Sequence, residues 1–455
     1  MIYISDFTNC SSFISSKENE AKKVLINTDS RTLSSDETFL AITGDNYNAL
    51  SFLDSVVNSG CSTVIYTKTD ENDLLIKNFE SKINFVATTD SIKFLQQITN
   101  ILSNRFQDNG GKLIAISGSN GKTTTKEMLF HLLHSIEPQT ICTQKNNNNH
   151  IGVPLTLLQI NKNTKYAIIE LGSNHPGEIK TLCEIVNPAI GLTTNIGDTH
   201  LEFFKNRENV FTEEGYLYYS ILNCEKKNKI FFKNTDDELL ETLSYSSFIH
   251  EFGRTAKDSN FTIEKEYSIV HNNGHEYKII NKYITGKHNF HNLCLAFIVA
   301  KSLDSNRTKE FVSLCESFKP TTNRSEWLEV GKSKIFLDAY NANPSSMIAA
   351  IEGFLGVAST SSCLIIGDMN ELGEDEISFH QQTAKFVSLQ EAKKVIFVGR
   401  FAQAASEFCA GSEHFDSAQH LKEYFSKSIL NTYKYIFIKG SRSLQLESIL
   451  DITSH

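Results

Sequence analysis

The chain has 455 residues, of which 40% are hydrophobic and 21% charged, an ordinary composition for a globular protein. Lys and Arg number 44 against 53 Asp and Glu, which gives a net charge of −9. That balance argues against a general nucleic-acid or anionic-membrane binder, which would carry a basic surplus. At about 100–200 residues per domain, the length predicts about three domains.

The cysteines and the start of the chain favour a reducing compartment. Nine cysteines are scattered along the sequence without any C-x-x-C pair, so neither a disulfide framework nor a thiolate zinc site is expected. The first residues, MIYISDFTNCSSF, lack the basic and apolar regions of a signal peptide. No apolar run approaches the roughly 18 residues of a membrane span. We therefore expect a cytoplasmic protein.

Residues 1–106 contain short apolar runs that are typical of strands, and then a helical pattern. The runs are VLIN at 24–27, FLAI at 39–42, STVIY at 62–66 and INFVA at 83–87. A helix is predicted from about Asp90, because apolar residues recur there at helical spacing. The polar, glycine-containing QDNGGK that follows predicts the end of a first domain covering 1–106.

Residues 107–306 alternate buried strands with helices. The predicted strands are KLIAIS at 112–117, AIIEL at 167–171, IGLTT at 190–194 and KIFF at 229–232. Helices are predicted from about Lys122 and over about 289–303, and 234–285 has the pattern of mixed polar strands. This alternation predicts a parallel, doubly wound sheet in a central domain.

The last third, residues 307–455, repeats the same rhythm. Its predicted strands are KIFLD at 334–338, CLIIG at 363–367, KVIFVG at 394–399 and YIFIKG at 435–440. We place the boundary of this third domain near Arg307. The fold class is therefore α/β throughout, with a doubly wound C-terminal domain.

The strongest local signal is GSNGKTTTKEM at 118–128, which follows a predicted buried strand and opens a helix. Glycines let a backbone approach phosphates closely, and the helix N-terminus favours anions. A lysine and a threonine in these positions suit the β/γ-phosphates and Mg²⁺. A glycine turn without a ligand is the alternative, but the flanking strand and helix favour nucleotide binding. The candidate nucleotide-binding residues here are Gly118, Ser119, Asn120, Gly121, Lys122, Thr123 and Thr124.

This compact G-x-N-G-K-T-T form resembles the Mur ligase superfamily, the ATP-dependent amide ligases of peptidoglycan synthesis. Further segments similar to the family occur in the family's order: NNNNHIGVPLTLL (146–158), ELGSNHPGEI (170–179), TNIGDTHLEFF (194–204), GKHNFHN (286–292), DAYNANPSSM (338–347), GDMNELGE (367–374) and KGSRS (439–443). YNANP, HPGEI and GDM-x-ELG are most similar to the members that add D-alanyl-D-alanine. The resemblance covers residues from about 29 to 443.

The resemblance implies a three-domain Mur ligase architecture with a first domain for the UDP-sugar, a central P-loop ATPase domain and a smaller Rossmann-like third domain. It implies ligation of D-alanyl-D-alanine to UDP-N-acetylmuramoyl-tripeptide through an acyl phosphate, with ATP and Mg²⁺ as cofactors. No nucleic-acid partner and no membrane insertion are expected, and we expect a monomer.

The resemblance also implies roles for individual residues. The implied catalytic residues are Lys122, Glu170, His200, Glu214 and Arg324, and the implied metal ligands are Thr123, Glu170, His200 and Glu214. Adenine, ribose and phosphate contacts are implied for Asn289, Asn292, Arg324 and Asp338. Substrate contacts are implied for Ser30, Arg31, Asn146, Asn148, Asn149, Tyr340, Asn341 and Asn343.

Two of these assignments also have a reason in the residues themselves. Glu170 ends a predicted buried strand beside the P-loop, where a carboxylate is well placed to hold Mg²⁺. Asn289 and Asn292 are three residues apart, so they share a helix face. An amide side chain offers both a donor and an acceptor to the edge of adenine. A solvated strand-end charge and a helix cap are the structural alternatives.

The chain departs from the family at one position. Many relatives carry a carbamylated lysine that helps to organise Mg²⁺, and this chain has Glu213 and Glu214 there, with the register favouring Glu214. A carboxylate carries the same charge and the same kind of oxygen as a carbamate, so we expect Glu214 to replace it. The alternatives are that Glu213 does so, or that Glu214 is a surface acid and the second metal site is weakened.

Two other classes of function stay open at this point. One is a related amide ligase such as a folate polyglutamate ligase, against which the DSR element at 29–31 and YNANP argue. The other is a non-enzymatic, nucleotide-dependent scaffold, against which Lys122, Thr123, Glu170 and His200 argue. The sequence does not distinguish lysine from diaminopimelate at the third position of the substrate's peptide.

Overall fold

The structure is a computed structural model that describes residues 1–15, 23–44, 47–264, 266–272, 274–358 and 361–450. Three large sheets, of five, nine and six strands, follow one another along these residues. No helix in the described part combines the length and the apolar character that a membrane span requires.

The first sheet is parallel except at one edge. Its strands lie in the order Phe13–Ser15, Asn84–Thr88, Thr63–Thr67, Thr38–Leu40 and Ile26–Asn27, and Phe13–Ser15 pairs antiparallel. The helices of this region are Leu53–Asn58, Asp70–Ile76 and Ser91–Asp108. Asp90 accepts hydrogen bonds from the amides of Ile92 and Lys93, which fixes the start of the long helix.

The central sheet is parallel over its first seven strands and ends in two antiparallel strands. Its strands lie in the order Ile141–Cys142, Tyr166–Glu170, Lys112–Ser117, Ile190–Thr193, Ile230–Asn234, Ile249–Gly253, Ser259–Ile263, Tyr267–Asn272 and His275–Ile280. The last two pairings are antiparallel. Its helices are Lys122–Ile136, Gly152–Leu157, Glu178–Val186, Leu201–Phe204, Arg207–Glu214, Tyr216–Asn223, Glu238–Glu241, Lys287–Leu303 and Thr308–Ser317.

The third sheet begins with an antiparallel pair and continues in parallel. Its strands lie in the order Glu326–Val330, Ser333–Asp338, Tyr435–Lys439, Ser362–Gly367, Lys394–Val398 and Glu413–Phe415. Its α-helices are Pro344–Val357, Glu376–Ser388, Ala402–Ser406 and Ala418–Tyr424.

Apolar packing on both faces explains why the parallel strands are continuous hydrophobic runs. Along Lys112–Ser117, Leu113 and Ala115 belong to one buried cluster, and Ile114 and Ile116 belong to the cluster on the opposite face. Because the strands on either side are parallel to this one, the residues after their carboxyl ends meet at one edge of the sheet. That edge carries the candidate site.

The predicted α/β class is confirmed, and the strands named from the sequence are observed with ends shifted by a residue or two, except VLIN at 24–27. That run divides into Lys23–Val24, which pairs with Ile2–Tyr3, and Ile26–Asn27, which belongs to the first large sheet. The predicted parallel central sheet is observed, and within 234–285, predicted as mixed polar strands, the last two strands pair antiparallel because few residues separate consecutive strands there. Sequence reasoning also missed the helix Asp70–Ile76. Helix Thr308–Ser317 lies beyond the boundary placed near Arg307, yet Phe311 and Cys315 pack into the central core. The two domain boundaries stay predictions.

Candidate active site

A cavity of about 1070 Å³ lies where the loops after the central strands meet the third sheet. Most of the residues singled out in the sequence line it: Ser119, Asn120, Gly121, Lys122, Thr123, Thr124, Asn146, Asn148, Asn149, Glu170, His200, Asn289, Asn292, Arg324, Asp338, Tyr340, Asn341 and Asn343. A concave site with many polar groups from distant parts of the chain is the form expected of a ligand pocket.

The P-loop has two positions that only glycine fits. Gly118 and Gly121 have φ of +119° and +79°, in the region that side chains rarely adopt. A Cβ on Gly118 would lie 2.2 Å from the hydroxyl of Thr194, and one on Gly121 would lie 2.8 Å from the Oδ1 of Asn292. The loop therefore packs tightly against two neighbouring elements and leads directly into the helix that begins at Lys122.

Glu214 lies beneath the P-loop and is only 2% exposed. Its Oε2 accepts a hydrogen bond of 2.7 Å from the Gly118 amide, and its Oε1 lies 3.6 Å from the Nζ of Lys122. The Lys122 ammonium also donates to the Gly118 carbonyl. The carboxylate thus contacts both the backbone of the P-loop and its lysine.

Glu213 points away from the P-loop and has a different set of partners. Its carboxylate accepts hydrogen bonds from the amides of Gly177 and Ile179, both at 2.7 Å, and from the Ser173 hydroxyl at 2.8 Å. These bonds satisfy amide groups at the start of helix Glu178–Val186. The register of helix Arg207–Glu214 therefore brings Glu214, and not Glu213, to the P-loop.

Glu170 ends its strand beside Thr123 and is 2% exposed. Its Oε1 accepts hydrogen bonds from the Thr123 hydroxyl at 3.1 Å and the Asn148 amide at 2.9 Å. Its Oε2 is buried and receives no hydrogen bond from the described residues. A hydroxyl and a carboxylate in contact at a P-loop are hard oxygen donors, so Thr123 and Glu170 fit a Mg²⁺ ion.

The implied set of metal ligands is not assembled around one point. In the described ranges no three His, Cys, Asp or Glu side chains converge as a metal cluster. His200 instead contacts Glu371 of the third sheet's region through its Nδ1, and this hydrogen bond lowers the pKa of the Glu371 carboxyl. Both oxygens of Glu214 already face the Gly118 amide and Lys122.

Helix Lys287–Leu303 presents Asn289 and Asn292 to the cavity. Asn289 donates to the Thr285 carbonyl at 2.8 Å, and the amide of Asn292 packs against Gly121. Both asparagines are buried, at 4% and 6% exposure, so their side-chain amides face protein groups or the cavity and not bulk solvent.

Sequence reasoning missed His288 and His291, which line the cavity beside these asparagines. Removal from water lowers the pKa of each imidazole to about 4, so both are neutral at pH 7. His291 lies 3.8 Å from Asp236, whose carboxylate accepts the backbone amide of Arg254. Both histidines belong to the motif GKHNFHN, in which each one directly precedes one of the two asparagines. That adjacency is the sequence signal that could have identified them as site residues.

The YNANP segment touches the P-loop directly. The Nδ2 of Asn343 donates to the Oδ1 of Asn120 at 2.7 Å, and the Nδ2 of Asn120 donates to the Ser345 hydroxyl at 3.0 Å. The Oδ1 of Asn343 also accepts the Ser346 amide at 2.9 Å and so caps helix Pro344–Val357. We call the contact of Asn120 with Asn343 and Ser345 the clasp. Both ends of the Asn343 amide are used within the protein.

The other residues of this wall form a second polar network. The guanidinium of Arg324 lies 3.8 Å from the centre of the Tyr340 ring. The buried Lys439 donates to Asp338 at 2.6 Å and to the Asn341 carbonyl at 2.8 Å. Lys439 was not among the predicted site residues, although it begins the KGSRS motif.

The asparagine run at 146–149 shapes the opposite wall. Asn148 holds Glu170, as described above, and Asn149 accepts the amides of Ile151 and Gly152 at 3.1 and 2.9 Å. The latter bonds start the helix Gly152–Leu157. Two of the predicted substrate residues therefore have partners within the protein, while Asn146 faces the cavity.

Ser30 and Arg31 do not line this cavity. The Arg31 guanidinium forms two hydrogen bonds with Asp29, at 2.9 and 2.7 Å, and the arginine side chain is 86% exposed. This pair lowers the pKa of Asp29 to about 2. The DSR element at 29–31 is therefore a charged surface feature within residues 1–106, outside the lining of the cavity.

Comparison with known proteins extends the likeness over the whole chain. Two family models match, the Mur ligase middle domain over 116–300 and the Mur ligase, glutamate ligase domain over 323–442. A UDP-N-acetylmuramoyl-tripeptide–D-alanyl-D-alanine ligase from Buchnera aphidicola subsp. Baizongia pistaciae is 30% identical over 94% of this chain and 91% of its own length. The Bacillus subtilis protein of the same name is 29% identical over 93% and 91%. The crystal structure of MurF from Acinetobacter baumannii superposes with a TM-score of 0.82 at 25% identity, covering 99% of this chain and 98% of the other.

Proposed function

The chain belongs to the Mur ligase family, among the UDP-N-acetylmuramoyl-tripeptide–D-alanyl-D-alanine ligases, and we propose that it catalyses the reaction that this name describes. D-Alanyl-D-alanine is joined to UDP-N-acetylmuramoyl-tripeptide, and ATP is converted to ADP and phosphate. The product is the UDP-linked pentapeptide precursor of peptidoglycan. The observation that carries the proposal is one cavity lined both by the P-loop and by the YNANP segment.

The chemistry explains why such a ligase needs a nucleotide site. A carboxylate is a poor electrophile, because its leaving group would be oxide. In the proposed reaction a carboxylate oxygen of the tripeptide attacks the γ-phosphorus of ATP, and ADP leaves. The amine of the dipeptide then attacks the acyl carbon, loses a proton and expels phosphate.

We assign the phosphate contacts to the P-loop and to two cationic side chains. Lys122 and the helix N-terminus behind it would bind the β/γ-phosphates, and Arg324 would stabilise charge on the transferred group. The support is that both cations line the cavity. Glu214 would hold Lys122 in place through the contact at 3.6 Å. Asn289, Asn292 and Asp338 would contact the nucleoside.

We propose that Thr123 and Glu170 hold Mg²⁺ with the bound ATP. When bound, the ion supplies positive charge next to the phosphate oxygens. The support is the contact of 3.1 Å between the Thr123 hydroxyl and Oε1 of Glu170, which brings two hard oxygen donors together beside the P-loop. His200 is a ligand in this proposal only if it leaves Glu371.

The two remaining substrates would approach from different sides. The first region, through Ser30 and Arg31, would bind the UDP group, and the wall formed by Tyr340 and Asn341 would face the dipeptide. The clasp would close the cavity and exclude water that hydrolyses an acyl phosphate. We propose that the protein acts as a monomer in the cytoplasm.

The test is to incubate the protein and ATP with UDP-N-acetylmuramoyl-tripeptide, with and without D-alanyl-D-alanine, and to measure phosphate release. We expect stoichiometric phosphate and pentapeptide only when both substrates are present. Phosphate release that does not depend on the dipeptide would refute the assignment. Phosphate release that requires glutamate and a folate would favour the related ligase class. No release under any condition would favour a nucleotide-dependent scaffold.

A further inference from the structure

A second lysine lies one helical turn beyond Lys122 and is fully buried. Lys126, 0% exposed, donates from its Nζ to the Thr143 carbonyl at 2.6 Å and lies 2.8 Å from Glu127 Oε1. The same Nζ lies 3.8 Å from Oε2 of Glu170. This Oε2 is the oxygen that receives no hydrogen bond from the described residues. A buried ammonium is unfavourable unless it is paired and hydrogen-bonded, so these groups determine where the lysine lies.

Lys126 also reaches Glu170 through the backbone. The carbonyl that it binds belongs to Thr143, and the hydroxyl of Thr143 accepts the Glu170 amide at 3.0 Å. The Thr143 amide in turn donates to the Ile168 carbonyl at 3.0 Å, on the strand that ends at Glu170. The end of strand Tyr166–Glu170 is thus held both by the charge of Lys126 and by hydrogen bonds through Thr143.

The two oxygens of Glu170 consequently have different surroundings. Thr123 and Asn148 donate to Oε1, whereas Oε2 faces the Lys126 charge. We propose that Lys126 is a positioning residue of the metal–nucleotide site: its ammonium balances the buried carboxylate and keeps Oε1 next to the Thr123 hydroxyl. This inference rests on the proposed function for the presence of Mg²⁺–ATP, but it concerns a residue that touches neither substrate nor metal.

A purely structural role would come from the pair with Glu127, which is 26% exposed and is not among the residues that line the cavity. The variants Lys126→Met and Glu127→Gln separate the two. Both remove the Lys126–Glu127 pair, but only the first removes the charge beside Glu170. Lys165→Met is the matched control, because it removes an exposed lysine paired with Glu137 at 2.8 Å in the same domain.

The measurement is Mn²⁺ binding, followed by electron paramagnetic resonance in the presence of a non-hydrolysable ATP analogue. For Lys126→Met we expect the Mn²⁺ dissociation constant to rise at least about tenfold, in the range found when partners of metal ligands are removed. Metal-free binding of the analogue should stay within about twofold of the unaltered protein. Glu127→Gln and Lys165→Met should bind Mn²⁺ normally. In turnover, Lys126→Met should lower kcat and leave the KM of the UDP-tripeptide unchanged.

Unchanged Mn²⁺ affinity in Lys126→Met, or an equal loss in Glu127→Gln, would overturn the inference. If Lys126→Met does not fold, the same Mn²⁺ measurement is made on the double variant Lys126→Met/Glu127→Gln. In this variant residue 127 no longer carries an uncompensated charge. The proposed reaction is judged separately on the unaltered protein. Absence of dipeptide-dependent phosphate release there refutes the reaction, whereas the Mn²⁺ comparison still judges Lys126.

Discussion

Replacement of Glu214 by Gln tests whether a permanent carboxylate does the work of a carbamylated lysine. Glu214→Gln removes the negative charge at nearly constant side-chain volume. The amide oxygen of Gln can still accept the hydrogen bond from the Gly118 amide. At the observed 3.6 Å, two unit charges attract by about 1 kcal/mol in water and about 5 kcal/mol at an effective dielectric constant of about 20. Lys122 and Glu214 are 14% and 2% exposed, so the pair lies toward the larger value.

Part of this attraction offsets the desolvation of the two groups, and the phosphates of ATP replace some of it. We therefore expect kcat to fall by about 10- to 100-fold, which corresponds to about 1.4–2.8 kcal/mol. The Mg²⁺ concentration required for half-maximal activity should rise as Lys122 loses its fixed position. Glu213→Gln is the control, because its carboxylate binds the start of helix Glu178–Val186 and not the P-loop. That variant should lose stability and keep its Mg²⁺ dependence.

The assay is phosphate release across Mg²⁺ concentrations, in degassed and in bicarbonate-supplemented buffer. A carboxylate is ionised at neutral pH without modification, so bicarbonate should leave the unaltered protein unaffected. Glu214→Lys should gain activity only with bicarbonate, provided that the longer side chain fits. Stimulation of the unaltered protein by bicarbonate, or a Glu214→Gln variant with full activity at low Mg²⁺, would refute the reasoning.

Three further changes test other parts of the site. Lys122→Ala should fold normally and lose at least about 100-fold in turnover, the usual loss for one charge-stabilising donor; a folded variant with near-normal phosphate release would contradict the P-loop assignment. Arg31→Ala should weaken UDP-tripeptide binding about tenfold, the loss expected for a hydrogen bond to a charged group, and leave ATP binding unchanged; equal losses in calorimetric titrations would show that the substrate pocket is misplaced. Gly121→Ala should lower stability by about 1–2 kcal/mol, because its φ is positive and its Cβ would meet Asn292 at 2.8 Å; an unchanged melting temperature and ATP affinity would contradict this.

Local patterns made much of the fold predictable. The strand Lys112–Ser117, the P-loop glycines and the helix from Lys122 follow from a buried apolar run, a need for positive φ and a helical period, all within about 25 residues. The asparagines at 289 and 292 share a face for the same reason. The order of motifs then indicated which distant segments meet in one cavity.

Polar partners across long sequence separations were not predictable in this way. The bond from the Gly118 amide to Glu214 joins residues 96 apart, and the bond from Asn343 to Asn120 joins residues 223 apart. A sequence pattern indicates that such side chains are polar but not which group each one meets. The contacts of Glu214 with the Gly118 amide and with Lys122 were not expected from the sequence, and its role at a metal stays a prediction. The direction of the last central strands depended likewise on loop lengths and not on periodicity.

Through the clasp, the proposed nucleotide site would be linked thermodynamically to the C-terminal region. Asn120 belongs to the loop that would receive phosphates, and its side-chain amide is held by Asn343 and Ser345 on the other wall. Any ligand that binds the clasped arrangement more tightly than an open one shifts the equilibrium toward it, and linkage requires the effect to be mutual. A dipeptide that favours the clasped arrangement must therefore raise the affinity of the protein for ATP. Bound ATP must raise the affinity for the dipeptide by the same factor.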